Sequence, residues 1–427
     1  MITALVLSVF SSHAVAVESN EFPAEGLEPT MSVSTASNLT PQEIKKISAG
    51  VVAGGAHAHP VRFPTISLTA QTRADKDVFR LGDGWRIPMA TMVASSTYVR
   101  ATGGDAMAQV VDSGQVLMGE TAAKVRGAQV GDVLILRDRK FVMHPFTVGA
   151  IVADEFVNSG DLFMSSSAAA SLGEMPISRI AITNIASPSS VLAGLKKYGI
   201  RIGTEYRLRT SWDRNNPDGT LGTATVKKLL GEFSYRPTVG SSILVADSWT
   251  SRNIAWKMRY TDIKLGNNCH RIVAEAIQGA LTEIRNARLS RFVDTQNSNR
   301  YGGCFVGRYN RLAGNFGAPS RHAWGMAIDI NTNTNPQGGV PQMNCAVVRI
   351  FRKWGFAWGG NFWPADGMHF EYVGERRDQM GYPSRYCPNR APLPAMPLPQ
   401  FGSTTTTTTS STLPTVSTTT TTTAPIT

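Results

Sequence analysis

The sequence predicts an α+β fold for its C-terminal part, a small, mostly antiparallel sheet with packed helices, preceded by a separate α/β-type domain. Three observations carry this reading. In the C-terminal third, strand-like runs at 325–330 and 369–373 flank a helix-like stretch at about 345–354; helices on one small sheet make an α+β domain. Upstream, short apolar runs alternate with short helical patterns and glycine-containing turns. The composition, 42% hydrophobic and 17% charged over 427 residues, suits two or three globular domains with real cores.

The N-terminus is apolar over its first ten residues, and Ala14-Val15-Ala16 gives a small-x-small cleavage signature. Residues 1–16 read as a signal peptide or, with no Lys or Arg ahead of the apolar run, an uncleaved N-terminal anchor. No other stretch is apolar enough to span a bilayer. Residues 17–60 are polar and Gly/Ala-rich, a linker or the first strand of the next domain, with a short helix from Pro41. His57-Ala-His59 has the spacing of a metal-binding pair, but it reads as a flexible, exposed triplet with no function.

Residues 61–245 form the α/β-type domain. Strands are expected at 133–136 and 146–152, and helices at 120–125 and 190–197. The order of helix, Val130-Gly131-Asp132 turn, strand and a second strand containing Val148-Gly-Ala-Ile-Val152 resembles the extracytoplasmic domain of FtsX/MacB-type permeases. No catalytic cluster is present, so an interaction or spacer role is expected. The segment 250–391 opens with Asn267-Asn268 as helix caps, followed by Val273, Ile277, Leu281 and Ile284 at helical spacing. A second helix places Val347, Ile350, Phe351 and Trp354 on one face, and Gly355 stops it. Trp324, Trp354 and Trp358 read as core. Residues 392–427 turn Pro-rich, then almost pure Thr/Ser; such a tail has no core-forming side chains and reads as a flexible, wall-spanning stalk.

All four cysteines, Cys269, Cys304, Cys345 and Cys387, fall in the segment 250–391. An even count in an exported chain implies two disulfides, and their wide spacing without a CxxC argues against thiolate zinc. Of three connectivities, Cys269–Cys304 with Cys345–Cys387 is the expected one. The formal net charge of +11 favours polyanionic partners. For a secreted protein these are anionic cell-wall polymers or an anionic membrane surface. Nucleic acid is set aside, because no zinc finger, RNP or basic-helix motif accompanies the scattered Lys and Arg.

Chemistry concentrates in two motifs. The first is Ser320-Arg-His322-Ala-Trp-Gly-Met-Ala-Ile-Asp329, and the second is Asp366-Gly-Met-His369-Phe-Glu371. Two His and one carboxylate suit a catalytic zinc site, which uses three protein ligands and leaves one position open. His322 sits in the turn before a buried strand and Asp329 near its end. Alternation puts His369 and Glu371 on one face of the second strand, with Asp366 in the turn before it. No HExxH helix is present, so zinc would sit on strands and turns.

At these residues the chain resembles the M15 family of zinc peptidases, the D-alanyl-D-alanine carboxypeptidases and dipeptidases and the L-alanyl-D-glutamate endopeptidases. The family pattern SxHxxGxAxD is met by Ser320, His322, Gly325, Ala327 and Asp329, and the acidic-x-x-His pattern by Asp366 and His369. The resemblance covers about 250–390. It implies zinc held by His322, Asp329 and His369, with Asp366 as general base and peptidoglycan stem peptides as substrate. Aspartate at 366 and the continuation His-Phe-Glu look more like the endopeptidase branch. Arg308 is the candidate for steadying the oxyanion. Glu371 is expected to orient a ligand, and Ser320 to bond substrate or backbone, since no G-x-S-x-G elbow surrounds it. Two other readings stand beside a secreted peptidase: a non-catalytic wall-binding module, and a zinc amidase on another amide.

Overall fold

The computed structural model describes residues 28–256, 268–294, 301–311 and 317–393. The apolar N-terminus, Asn267 and the Thr/Ser tail lie outside the described residues. Among the described residues no helix is long and apolar enough to cross a membrane.

The chain begins with β1 (Met31–Ser34), α1 (Pro41–Ala53) and β2 (His57–Val61). Thr40 caps α1 in a reciprocal capping box with Glu43, and Pro41 opens it. The stretch read as a linker or first strand therefore supplies two strands and a helix. Next come β3 (Thr65–Arg73), β4 (Lys76–Arg80), β5 (Ile87–Ala94), α2 (Ser96–Asp112), β6 (Val116–Gly119), α3 (Glu120–Arg126), β7 (Val133–Arg137), β8 (Met143–Val152), β9 (Leu162–Ser165) and α4 (Ser166–Ala169). Strands pair in the order β3-β5-β9-β6-β8-β7, and β7 pairs back onto β3, closing a six-stranded barrel. Closure leaves these six strands no free edge; β4 hangs outside on β3. Leu68, Met89, Val116, Leu134, Val148 and Leu162 fill one core of this region.

The chain then returns through β10 (Arg179–Thr183), α5 (Pro188–Lys197) and β11 (Arg207–Thr210). These complete a four-stranded antiparallel sheet in the order β11-β1-β10-β2. It is a split βαβ arrangement with the barrel inserted between β2 and β10. Met31, Val33, Ile180 and Ile182 pack against Ile47, Val51, Val191 and Leu195 of the two helices. His59, within the HxH triplet, is buried, and its Nε2 lies 2.9 Å from Thr183 Oγ1.

The last part contains α6 (Thr223–Leu230), β12 (Tyr235–Pro237), β13 (Ile243–Val245), α7 (Asp247–Asn253), β14 (Ile254–Ala255), β15 (Cys269–His270), α8 (Arg271–Asn286), β16 (Tyr301–Gly303), β17 (Ala327–Ile330), α9 (Cys345–Lys353), β18 (Phe356–Trp358) and β19 (His369–Tyr372). Its sheet is antiparallel, ordered β16-β17-β19-β18. Val273, Ile277, Leu281 and Ile284 of α8 and Val347 and Phe351 of α9 are buried with Ile328, Ile330 and Phe370 of the sheet. The cap of α8 is His270, whose ring accepts from Ile272 N, in place of the expected asparagine pair. Trp324 and Trp358 are core, whereas Trp354 is 38% exposed and donates to Glu283. The cysteines pair Cys269–Cys304 and Cys345–Cys387.

The expected boundary near 250 moves. Val226, Leu230, Phe233, Tyr235, Val245 and Trp249 belong to the same core as α8 and α9. Further upstream, the fully buried Asp218 takes a bidentate pair from the equally buried Arg352, at 2.9 Å from Nε and 2.6 Å from Nη2. Asp218 also accepts from Trp358 N and Asn361 Nδ2. The C-terminal part of the chain thus draws on residues from at least Asp218 onward. The pairing of Asp218 with Arg352 spans 134 positions, which no local pattern announces.

The two halves are joined by more than a linker. Lys227 of α6 is buried, with Nζ 2.9 Å from both carboxylate oxygens of Asp161 in the barrel and 2.9 Å from Glu232. Buried Arg126 of α3 reaches the same two acids. The hairpin β12–β13 exchanges backbone hydrogen bonds with Arg86 on one side and with Gly307 and Tyr309 on the other.

Candidate metal centre

Ser320 starts a short 3-10 turn, Arg321–Trp324, and its Oγ accepts from His322 N at 3.4 Å. Gly325 ends the turn at φ 62°. A Cβ there would stand 2.7 Å from His270 N, so only glycine fits both the left-handed backbone and the space. The turn buries His322, whose Nδ1 lies 3.0 Å from the Cys304 carbonyl. A carbonyl only accepts, so Nδ1 carries the proton and Nε2 holds a free lone pair. Nε2 makes no hydrogen bond, although Asp329 Oδ2 stands 3.3 Å away.

Asp329 on β17 lies directly opposite His369 on β19, and Ala327 opposite Glu371. Cross-strand partners share a face, so these side chains gather while Ile328 and Phe370 turn into the core. His369 Nδ1 is 3.0 Å from Asp329 Oδ1, and its Nε2 is 3.5 Å from Glu371 Oε2. Glu371 is buried and its other oxygen is 3.2 Å from Arg321 Nε. His322, Asp329 and His369 each offer one ligand atom, all within 4.8 Å of one another. Ligands about 2.0–2.1 Å from a tetrahedral zinc stand roughly 3.3 Å apart. The spacing, the orphaned His322 Nε2 and the hard and borderline donor set all fit such an ion.

Electrostatics bind the cluster together. Burial pushes the Asp329 carboxyl up, but the nearby His322 and the charge and hydrogen bond of His369 outweigh it and hold it far below the carboxylate range. Burial works to lower His369, and the hydrogen bonds and charges of Asp329 and Glu371 prevail, raising it to about 10. Asp366 is raised, mainly by burial, with the Asp329 charge adding. Its Oδ1 is buried without a hydrogen bond, and its Oδ2 accepts from Gln337 Nε2 at 3.3 Å.

The structure therefore gathers His322, Asp329 and His369 into one group and sets Asp366 and Glu371 around it. Arg308 lies on the neighbouring ladder, its carbonyl accepting from Ser320 N at 2.9 Å. Burial lowers its guanidinium, and the charges of Asp329 and Asp366 partly restore it. Three contributors were missed by the sequence. Arg321, inside the first motif, neutralises Glu371. Arg311 acts electrostatically on both Asp366 and Arg308. The Cys304 carbonyl is a backbone atom and leaves no side-chain signal.

Two imidazoles and a carboxylate on adjoining strands and a turn, with a raised carboxyl beside them, define the class: a hydrolase-like centre that could hold one metal ion. Residues 314–372 match the M15 peptidase family model described as D-alanyl-D-alanine carboxypeptidase. The C-terminal region is thus an M15-type peptidase region, and the matched residues include all three candidate ligands as well as Asp366 and Glu371. The chain has no match among curated proteins.

Proposed function

We propose that the protein is a secreted, zinc-dependent peptidase that hydrolyses peptidoglycan stem peptides, favouring the L-alanyl-D-glutamate bond. The observation that carries this reading is the convergence of His322, Asp329 and His369 beside Asp366, inside the segment that matches a peptidase family. The second reading, cleavage of the terminal D-alanyl-D-alanine bond, is favoured by the description of that family. Aspartate at 366 and the run His369-Phe-Glu371 favour the first.

A bound zinc would acidify water and polarise the scissile carbonyl. His322 presents Nε2 because its Nδ1 proton is committed to Cys304. His369 presents Nδ1 because Glu371 receives its Nε2 proton, the carboxylate–histidine arrangement that fixes ring and tautomer. Asp366 takes a proton from the attacking water and returns it to the leaving amine. Its raised pKa makes the first half of that shuttle, uptake of the water's proton, easier. Arg308 faces the oxygen on which negative charge grows.

The net charge of +11 supports residence on anionic wall polymers, with any membrane contact through an N-terminal anchor alone. The deciding experiment is digestion of purified muropeptides by the zinc-loaded protein with mass spectrometry of the new termini. A new D-glutamyl or D-isoglutaminyl amino terminus supports the endopeptidase. Free D-alanine without that cut assigns the carboxypeptidase. Intact muropeptides refute both.

A further inference from the structure

Between the barrel and the peptidase module lies a cavity of about 330 Å³ whose wall includes Arg86, Arg137, Tyr235 and Tyr309. Arg86 and Arg137 are 8% and 7% exposed. Among the described residues neither makes an ion pair or a side-chain hydrogen bond, and Arg86 Nε and Arg137 Nη2 are buried without a partner. Each has only a ring beside it: Tyr235 at 5.8 Å from Arg86, and Phe141 at 5.2 Å from Arg137. The one acid among the described wall residues, Asp138, is committed elsewhere. Its Oδ1 accepts from Lys140 N and Val142 N at 2.8 Å each, and its Oδ2 faces His144 at 3.3 Å.

Buried guanidinium groups normally face a carboxylate. Here Arg126 faces Asp161 and Glu232, and Arg352 faces Asp218. Arg86 and Arg137 instead face each other's charge, and burial together with that repulsion lowers Arg137. The buried Tyr309 hydroxyl adds a third donor without a well-formed bond, although it lies close enough to Tyr235 for each to alter the other's ionisation. Planar forked donors and a hydroxyl around one space suit a tetrahedral oxyanion.

We propose that this cavity binds a phosphoryl group, held between Arg86 and Arg137 with the Tyr309 hydroxyl donating to it. The group is either free phosphate or a phosphodiester of an anionic polymer. The site is separate from the metal centre and the proposal does not rest on the peptidase reading. It nevertheless adjoins that centre. Tyr309 bridges Pro319 on the ladder that pairs Arg308 with Ser320. Neighbouring residues of an extended strand point to opposite sides; Tyr309 lines the cavity, while Arg308 next to it senses the charges of Asp329 and Asp366.

The test is calorimetric titration of the full chain with inorganic phosphate, and separately with a short glycerol-phosphate oligomer, against chloride at equal ionic strength. Saturable binding of either is expected, weakened at least tenfold in Arg86→Met and in Arg137→Met. Tighter binding of the oligomer assigns a polymer phosphodiester; tighter binding of phosphate assigns the free ion. Thermal unfolding supplies a second readout: in phosphate-free buffer Arg137→Met should be no less stable than wild type, and phosphate should raise only the wild-type midpoint. Absence of saturable binding to wild type at millimolar concentrations overturns the proposal, as do variants that bind like wild type. Variants destabilised equally with and without phosphate overturn it too, leaving the arginines as ring-stacked packing.

Discussion

Two buried charged clusters of the same module differ in one respect. Around Asp218 every strong group is satisfied: its oxygens receive Arg352 twice, Trp358 N and Asn361, and the remaining Arg352 nitrogen donates to the Cys387 carbonyl and Asn389. Around Asp329 the groups are drawn together but incomplete, with His322 Nε2, Asp366 Oδ1 and Glu371 Oε1 lacking hydrogen bonds. Buried polar groups are nearly always paired. The saturated cluster fixes the fold, and the open one is poised for something the polypeptide does not supply. Burial and charge alone would not separate them; the unspent lone pairs do.

The comparison can be broken at either end. The largest effect is expected from cutting the chain at 250, which removes Asp218 and the Val226–Trp249 part of the core. The fragment 250–393 should lack a cooperative unfolding transition by circular dichroism, whereas a chain starting near 213 keeps both features. Next, His322→Ala should abolish peptide hydrolysis and stoichiometric zinc by elemental analysis, yet leave the metal-free unfolding midpoint nearly unchanged. Full zinc in that variant would remove His322 from the site.

Asp218→Ala strands the Arg352 charge in the core and should cost about 3–5 kcal/mol in denaturant unfolding. An unchanged midpoint would deny the saturated cluster its structural role. Asp366→Asn should keep zinc and lose about 10²-fold or more in kcat. If Glu371→Gln is inactive while Asp366→Asn is near wild type, the two roles are exchanged. The smallest effect concerns pH. His369 is raised to about 10 in the metal-free protein, above its unfolded value of about 6.5. Its stabilising contribution is therefore full below about 6.5 and fades as pH rises through about 10. Zinc must displace that proton, so affinity should climb by about tenfold per pH unit over this window for one proton released. A chelator-competition series would measure it, and a flat profile would show that His369 is already neutral.

Much of the metal group was legible, because its residues sit within short motifs whose alternation fixes which side chains share a face. His322, Asp329 and His369 needed only a turn and two strands to meet. The even count of cysteines announced two disulfides, but their pairing was one choice among three connectivities until the fold brought Cys269 to Cys304 and Cys345 to Cys387. What escaped depends on distance along the chain. The barrel closes by β3 meeting β7, an event of pairing that neither strand's pattern encodes. Asp218 lies in a polar stretch, Asp213-Arg-Asn-Asn-Pro-Asp218-Gly, that reads as an ordinary loop until Arg352 is placed against it. The segment 17–60 was obscured by its glycines and alanines, although Gly50 and Gly54 are what let α1 approach α5 so closely.

The hairpin β12–β13 carries a consequence for how the enzyme would search its substrate. A catalytic unit on a flexible tether samples a volume set by linker length, and neighbouring bonds within that radius compete on equal terms. Here the connecting chain is itself core, bonded to Arg86 of the barrel region on one flank and to Gly307 and Tyr309 beside Arg308 on the other. The centre has no radius to sweep. Were the barrel region to rest on a surface, the bond to be cut would have to be presented there at one height and one angle, and the footing of the first half would select the target of the second.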